Sequence, residues 1–191
     1  MYLFFDTETT GLPKKWSAPA SDFENWPRLV QIAWLVYDRE GKKMKGKNYI
    51  IKPEGFEIPE EASKIHGITT ELAIKKGKRL KTVLGEFSKT MVESDFIIAH
   101  NISFDEKIIE AEFLRTGTQK SLFSPKKMCT KDLSTEFCAI AGTCGYKWPS
   151  LKELHIKLFG EDFEDAHDAM VDVKACARCF FELKKLGVVS C

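Results

Sequence analysis

The chain has 191 residues, of which 43% are hydrophobic and 30% charged, with a formal charge of +1 at pH 7. That length and balance predict one domain, 1–191, with a sizeable core, and exclude a fibrous or low-complexity chain. The apolar run at the N-terminus, Tyr2 to Phe5, is too short for a secretion signal or a membrane span, which predicts a cytoplasmic protein with no membrane partner.

Tyr2 to Phe5 is the aromatic-rich run of a buried strand, and alternate residues on a strand share a face. Asp6 and Glu8 therefore project together. Adjacent carboxylates repel, a cost explained by a cation between them, and magnesium suits hard oxygen ligands. Taken alone, Asp-x-Glu also fits a solvated strand end. Pro13 to Pro27 contains three prolines with Trp16 and Trp26 and no regular period, so it reads as a loop. Leu29 to Tyr37 and Asn48 to Ile51 read as strands joined by a turn at Glu40-Gly41, giving an antiparallel meander.

Helical patterns follow near Pro59 to Ile65, Glu71 to Lys75 and Leu80 to Val92. Phe96 to His100 reads as a second buried strand, and Ser103 as the N-cap of a helix whose apolar face carries Phe104, Ile108 and Ala111. Asp105 then sits in the first helical turn, where negative charge is also favourable for the helix dipole alone. A short strand at Met128 to Lys131, a helix from Ser150 to Phe159 and a long helix from Ala166 to Leu186 complete the chain. Asp168 and Asp172 share a helical face, whereas His167 and Asp172, five apart, do not stack. His167 should thus lie at the helix entrance and lean inward, with Asp168 a candidate N-cap. Strands first antiparallel, then alternating with helices, predict a mixed α/β sheet with helices on both faces.

Cysteines stand at 129, 138, 144, 176, 179 and 191. Cys176 and Cys179 fall on an apolar helix face and read as buried thiols. Their separations from Cys138 and Cys144 match no standard zinc spacing. Three Lys-rich stretches, Lys42 to Lys47, Lys75 to Lys81 and Lys126 to Lys131, fit either a solvated surface or a groove that tracks phosphates.

Four ordered segments carry a resemblance: Phe5-Asp-Thr-Glu-Thr-Thr-Gly-Leu12, His66-Gly-Ile-Thr69, His100-Asn-x-x-Phe-Asp105 and His167-Asp-Ala-x-x-Asp172. They resemble the motifs of the DEDD superfamily of 3′→5′ exonucleases, in the subgroup whose last motif is His-x4-Asp. This subgroup includes proofreading subunits of bacterial replicative polymerases. The resemblance implies a ribonuclease H-like fold with the first strand central, and release of nucleoside 5′-monophosphates from single-stranded DNA or RNA 3′ ends. It implies two Mg2+ ions, with Mn2+ as a substitute, held by Asp6, Glu8, Asp105 and Asp172, and His167 as the general base.

Similar enzymes bind the terminal nucleotide with the turn after the first motif, here Thr9 and Leu12, and with an apolar side chain such as Phe104. His66 and Asn101 match further motif positions, where sugar contact and bracing both fit. A DNA polymerase is a further expected partner. Proofreading subunits carry a C-terminal extension as a tether, and here the sequence stops at Cys191, so docking would have to use the body of the domain. The Pro13 to Pro27 loop is longer than usual for the family. Its Lys14, Lys15, Trp16, Trp26 and Arg28 suit a strand-binding role, and packing of the tryptophans is the alternative.

Overall fold

The structure is a computed structural model and describes residues 1–118, 125–164 and 166–190. In chain order the elements are β1 (Tyr2–Thr9), β2 (Leu29–Tyr37), β3 (Lys43–Ile50), α1 (Glu60–His66), α2 (Thr70–Lys76), α3 (Leu80–Val92), β4 (Phe96–Ala99), α4 (Ile102–Arg115), β5 (Lys126–Cys129), α5 (Thr130–Leu133), α6 (Thr135–Cys138), α7 (Leu151–Phe159) and α8 (Ala169–Lys185). The five strands form one sheet in the order β3-β2-β1-β4-β5. β1 runs antiparallel to β2 and parallel to β4, and β5 continues the parallel half. The expected meander, the central first strand and the mixed sheet are all present.

Strand alternation decides which helix each β1 side chain meets. Leu3 and Phe5 pack against Val83, Leu84 and Phe87 of α3 and Ile108 and Ile109 of α4. Tyr2 and Phe4 turn to the other face, against Val173, Cys176, Phe180 and Leu183 of α8 and Leu154 of α7. The same alternation continues past the apolar run. It points Asp6 and Glu8 to the α8 face and Thr7 to the α3–α4 face.

Several boundaries differ from the sequence expectation. β3 begins at Lys43, not Asn48, because its Lys-rich, exposed residues form the outer edge of the sheet, where lysines discourage further strand pairing. Lys43 pairs with Tyr37, which pairs with Tyr2, so Lys42 to Lys45 lies at the far end of β1 from Glu8, about 20 Å away at 3.4 Å per residue. β5 is Lys126–Cys129, not Met128 to Lys131, and Lys131 lies in α5. The cap of α4 is Asn101 in the left-handed region, φ 81°, not Ser103. Asparagine tolerates that conformation, which turns the chain sharply from β4 into the helix. α8 begins at Ala169, after an extended Asp168 and a left-handed His167, φ 76°.

The loop from Pro13 to Pro27 has no strand or helix and is fastened from below. Glu112 is fully buried and accepts from Arg28 Nε at 2.9 Å, Leu29 N at 3.0 Å and Arg115 Nη1 at 3.1 Å. Arg115 Nη2 in turn donates to the carbonyls of Phe23 and Trp26, at 2.9 and 2.6 Å. Trp26 is buried and donates its Nε1–H to Pro19 O at 3.0 Å, so packing holds for Trp26. Trp16 is 55% exposed, with its ring 5.7 Å from that of Phe104. Among the described residues no helix is long and apolar enough to cross a membrane.

Candidate active site

Three elements deliver the acids. Asp6 and Glu8 stand on the α8 face of β1, Asp172 rises from the first turn of α8, and Asp105 comes from the first turn of α4 on the opposite face. Thr7 joins the two faces. Its backbone N–H and its hydroxyl donate to Asp105 Oδ1 at 3.1 and 2.7 Å, fixing a carboxyl that is only 3% exposed. Asp105 is therefore more than a helix-dipole residue.

α8 is aimed by its entrance. Asp168 is the N-cap and accepts from Met170 N and Val171 N at 2.9 and 3.2 Å. Gln31, the cross-strand partner of Glu8, donates to Asp168 Oδ2 at 3.3 Å and accepts from Ala169 N at 3.3 Å. The left-handed turn at His167 lets its backbone N–H reach Asp172 Oδ2 at 3.1 Å. It also turns the imidazole inward. Ligand atoms of Glu8, His167 and Asp172 lie within 4.8 Å of one another, and among the described residues no other group of His, Cys, Asp and Glu does so. Asp105 falls outside that trio and acts on Glu8 through its charge, while Asp6, also outside it, is raised by the charges of Asp105, Asp172 and Glu8.

The cluster holds its protons tightly. Burial, then Asp105, Asp172 and Glu8, push Asp6 well above the carboxylate range. Burial and the charges of Asp172, Asp105 and Asp168 push Glu8 up to about 8. Asp105 rises to about 7, chiefly by burial and against the pull of the Thr7 donors. Asp172 is raised by burial, with the His167 backbone N–H opposing. Among the described residues no lysine or arginine forms an ion pair with any of the four. Half-buried and buried carboxyl oxygens without a counter-ion among the described residues suit a hard divalent cation.

Beside the acids opens a cleft of about 400 Å³, lined by Thr9, Gly11, Leu12, Ile65, His66, Phe104 and His167 among others. Thr9, Leu12, His66 and Phe104 thus stand together, whereas Asn101 lies outside this lining. Thr9 donates its hydroxyl to Gly11 O at 2.7 Å and so shapes the turn, leaving Leu12 73% exposed on the rim. His66 Nδ1 accepts from Ile68 N at 3.1 Å, so the ring proton sits on Nε2, which is buried without a hydrogen-bond partner. The Thr9 backbone near it opposes the lowering of the His66 pKa by burial, yet makes no bond of acceptable geometry with Nε2. A second, open groove of about 540 Å³ adjoins across Ile65, His66 and His167 and carries Asn48, Lys64 and Lys174.

Asn101 and His100 brace the end of β4. Lys131 Nζ donates to Asn101 Oδ1 at 2.6 Å. His100 Nδ1 meets Thr130 Oγ1 and Nε2 meets Pro149 O, both at 3.0 Å, and burial pushes its pKa down to about 4. A carbonyl only accepts, so His100 is neutral with its proton on Nε2. Sequence reasoning assigned no role to Thr7, Gln31 or His100. Thr7 was within reach, since a residue between two same-face acids must point to the other helix layer. The thiols of Cys138, Cys176 and Cys179 are buried and Cys144 is exposed. No cysteine group of metal-binding geometry occurs among the described residues, and Cys191 lies outside them.

The exonuclease family model, RNase_T, matches residues 3–180. The uncharacterized exonuclease CP81 of Escherichia phage 186 is 30% identical over 190 residues, which is 97% of this chain and 89% of that protein. Among solved structures, the zinc-bound complex of E. coli exonuclease I with single-stranded DNA is 24% identical, with a TM-score of 0.75 over 96% of this chain. Exonuclease I of Methylocaldum szegediense is 20% identical, with a TM-score of 0.74 over 96% of this chain. The chain spans 40% of the length of either exonuclease I chain, and these matches establish the ribonuclease H-like fold. With the family model and the phage relative each covering most of its length, the chain belongs to the exonuclease family.

Proposed function

We propose that the protein removes nucleoside 5′-monophosphates stepwise from the 3′ ends of single-stranded DNA or RNA, as a DEDD-type nuclease of the His-x4-Asp subgroup. The observation that carries this reading is the convergence of Asp6, Glu8, Asp105 and Asp172 without a cationic partner among the described residues, with His167 at their edge. Two divalent cations, Mg2+ or Mn2+, held by these four carboxylates would supply the positive charge that stabilises the attacked phosphate. The zinc and single-stranded DNA bound by E. coli exonuclease I support the same classes of cofactor and substrate.

The chain's own groups then have distinct tasks. The cleft takes the terminal nucleoside, with Leu12 and Phe104 against the base and the turn at Thr9 against the sugar. His66 Nε2–H, unpartnered on the cleft wall, is the donor available to a sugar oxygen. His167 accepts the proton of the attacking water at its ring nitrogen facing Glu8, and its exposure lets that proton pass to solvent. Asp105, clamped by Thr7, and Asp172, held by the His167 backbone, keep their oxygens in place without side-chain rearrangement.

The test is digestion of matched DNA and RNA strands labelled at the 5′ end, with magnesium and with chelator. A ladder shortening from the 3′ end, mononucleotide 5′-phosphates as product, and loss of both in chelator are expected. Oligonucleotide fragments released by internal cuts, or full activity in chelator, would overturn the proposal.

A further inference from the structure

β1, β4 and β5 run parallel and point their C-terminal ends the same way, with Ala99 and Cys129 level with Phe5 and β1 continuing past them to Thr9. The terminal-nucleotide cleft lies over β1 toward α1, which follows β3, so it occupies the β2–β3 side of the acids. A strand whose end sits there and whose scissile phosphate meets the acids has two exits, toward β4 and β5 or along the groove at Lys64 and Lys174. On the former side β5 runs two strand spacings from β1, about 10 Å, and Lys131 follows it in α5.

Lys131 bridges two features. Its Nζ donates to Asn101 Oδ1 at 2.6 Å and lies 4.4 Å from the ring centre of Trp148. Trp148 is 65% exposed, an unusual position for the largest side chain. The segment that presents it is tied down. Lys147 N donates to Ile140 O at 2.9 Å, Ala141 bridges Tyr146, and Pro149 O accepts from the half-buried, neutral His100. The ring therefore stands in water on a braced support, with a cation against it and a second exposed aromatic, Tyr146, close by in the same segment.

We propose that Trp148 and Lys131 form a second strand-binding platform, which stacks a base upstream of the scissile phosphate on Trp148 and pairs its phosphate with Lys131. The ammonium lies over one face of the ring, so the base stacks on the other, and a cation next to an aromatic matches the alternating phosphates and bases of a single strand. Duplex DNA offers its bases only at the ends of the stack. The platform rests on the nuclease reading above and extends it from one bound nucleotide to several. The two fixed points, cleft and platform, hold the scissile bond between them.

The experiment measures KM and kcat of wild type, Trp148→Ala and Trp148→Phe on 5′-labelled oligothymidylates from two to eight nucleotides, in magnesium. For the octanucleotide, Trp148→Ala should raise KM on the order of 10- to 100-fold, the size of one lost stacking contact, with kcat little changed. The ratio of variant to wild-type KM should shrink as the oligonucleotide shortens, and Trp148→Phe should restore most of the affinity. The melting temperature should stay near that of wild type, since the ring is mostly exposed. An octanucleotide KM unchanged in Trp148→Ala, or a penalty independent of length, would overturn the platform while leaving the nuclease reading intact. A wild type that digests no oligonucleotide would overturn both.

Discussion

In chelator the acidic cluster should oppose folding, and removing one charge should stabilise the protein. Glu8 gives a clear case because burial and three neighbouring carboxyls lift it from 4.5 to about 8. A carboxyl raised in the native state binds more protons folded than unfolded. Its contribution to stability is present below its unfolded value and is lost as pH rises through about 8. At about 1.36 kcal/mol per pH unit the upper figure is about 5 kcal/mol, and relaxation with partial protonation of the neighbours brings it to about 2–5 kcal/mol. For a chain of this size each kcal/mol moves the melting temperature by roughly 2–4 °C. Glu8→Gln in chelator should therefore melt roughly 4–20 °C above wild type near pH 8.5 and close to wild type near pH 5, read by circular dichroism. Millimolar magnesium should raise wild type more than the variant, because a ligand of the native state stabilises it. A difference that is the same at both pH values, or a variant no more stable at high pH, would refute mutual repulsion as the property of this cluster.

Other residues give separable outcomes. His167→Ala should lose on the order of 10²–10⁴ in turnover with magnesium-dependent melting largely kept, and an unchanged pH–rate profile would remove it as the base. Thr7→Val keeps shape but deletes the hydroxyl that donates to Asp105, so Asp105 should titrate higher still and the pH–rate profile should shift upward. An unshifted profile would mean that the backbone N–H alone sets that carboxyl. His100, held neutral with its pKa near 4, should cost stability as pH falls from its unfolded value near 6.5 toward 4, by up to about 3 kcal/mol; His100→Gln should flatten that slope in acid melting curves. Trp26→Ala, emptying a buried site, should cost about 3–5 kcal/mol in denaturant unfolding. Trp16→Ala should instead weaken binding of a short single strand by about 1–3 kcal/mol in a fluorescence titration, and a purely thermal penalty would return Trp16 to the packed class.

What the sequence makes legible follows from the range of the forces involved. Tyr2 to Phe5 and Leu29 to Tyr37 announce strands because burial on both faces demands continuous apolar residues, and both lie where expected. Asp6 and Glu8 share a face by strand geometry alone. His167 needed more, since its position depends on a left-handed turn that no local preference signals for histidine. The cap of α4 departs from the sequence expectation for a similar reason: Ser103 is the better N-cap by type, but the sharp exit from β4 puts a left-handed Asn101 there. β3 starts five residues before its sequence expectation because an edge strand exposes most of its side chains and so lacks an apolar alternation. Thr7 to Asp105, Gln31 to Asp168 and His100 to Pro149 join residues 98, 137 and 49 positions apart. Such contacts come from topology and leave no local pattern.

The formal charge of +1 conceals an arrangement that bears on how a polyanion reaches four carboxylates. The acids sit over β1 at the centre of the sheet edge, while Lys131 lies on the β5 side and Lys64 and Lys174 line the groove beyond His167. Without cations in the cluster, the scissile phosphate faces repulsion at the middle of its path and attraction only at the flanks. The flanking lysines then set capture, and the divalent ions decide whether the captured strand can settle. Capture by lysines weakens with salt, because each phosphate contact releases condensed counterions. Affinity for a single strand should therefore fall with rising salt, and removal of Lys131 should lower that slope by about 0.7 in titrations run at fixed magnesium. A slope unchanged in Lys131→Met would show that the phosphate passes elsewhere, with the groove at Lys64 and Lys174 as the remaining route.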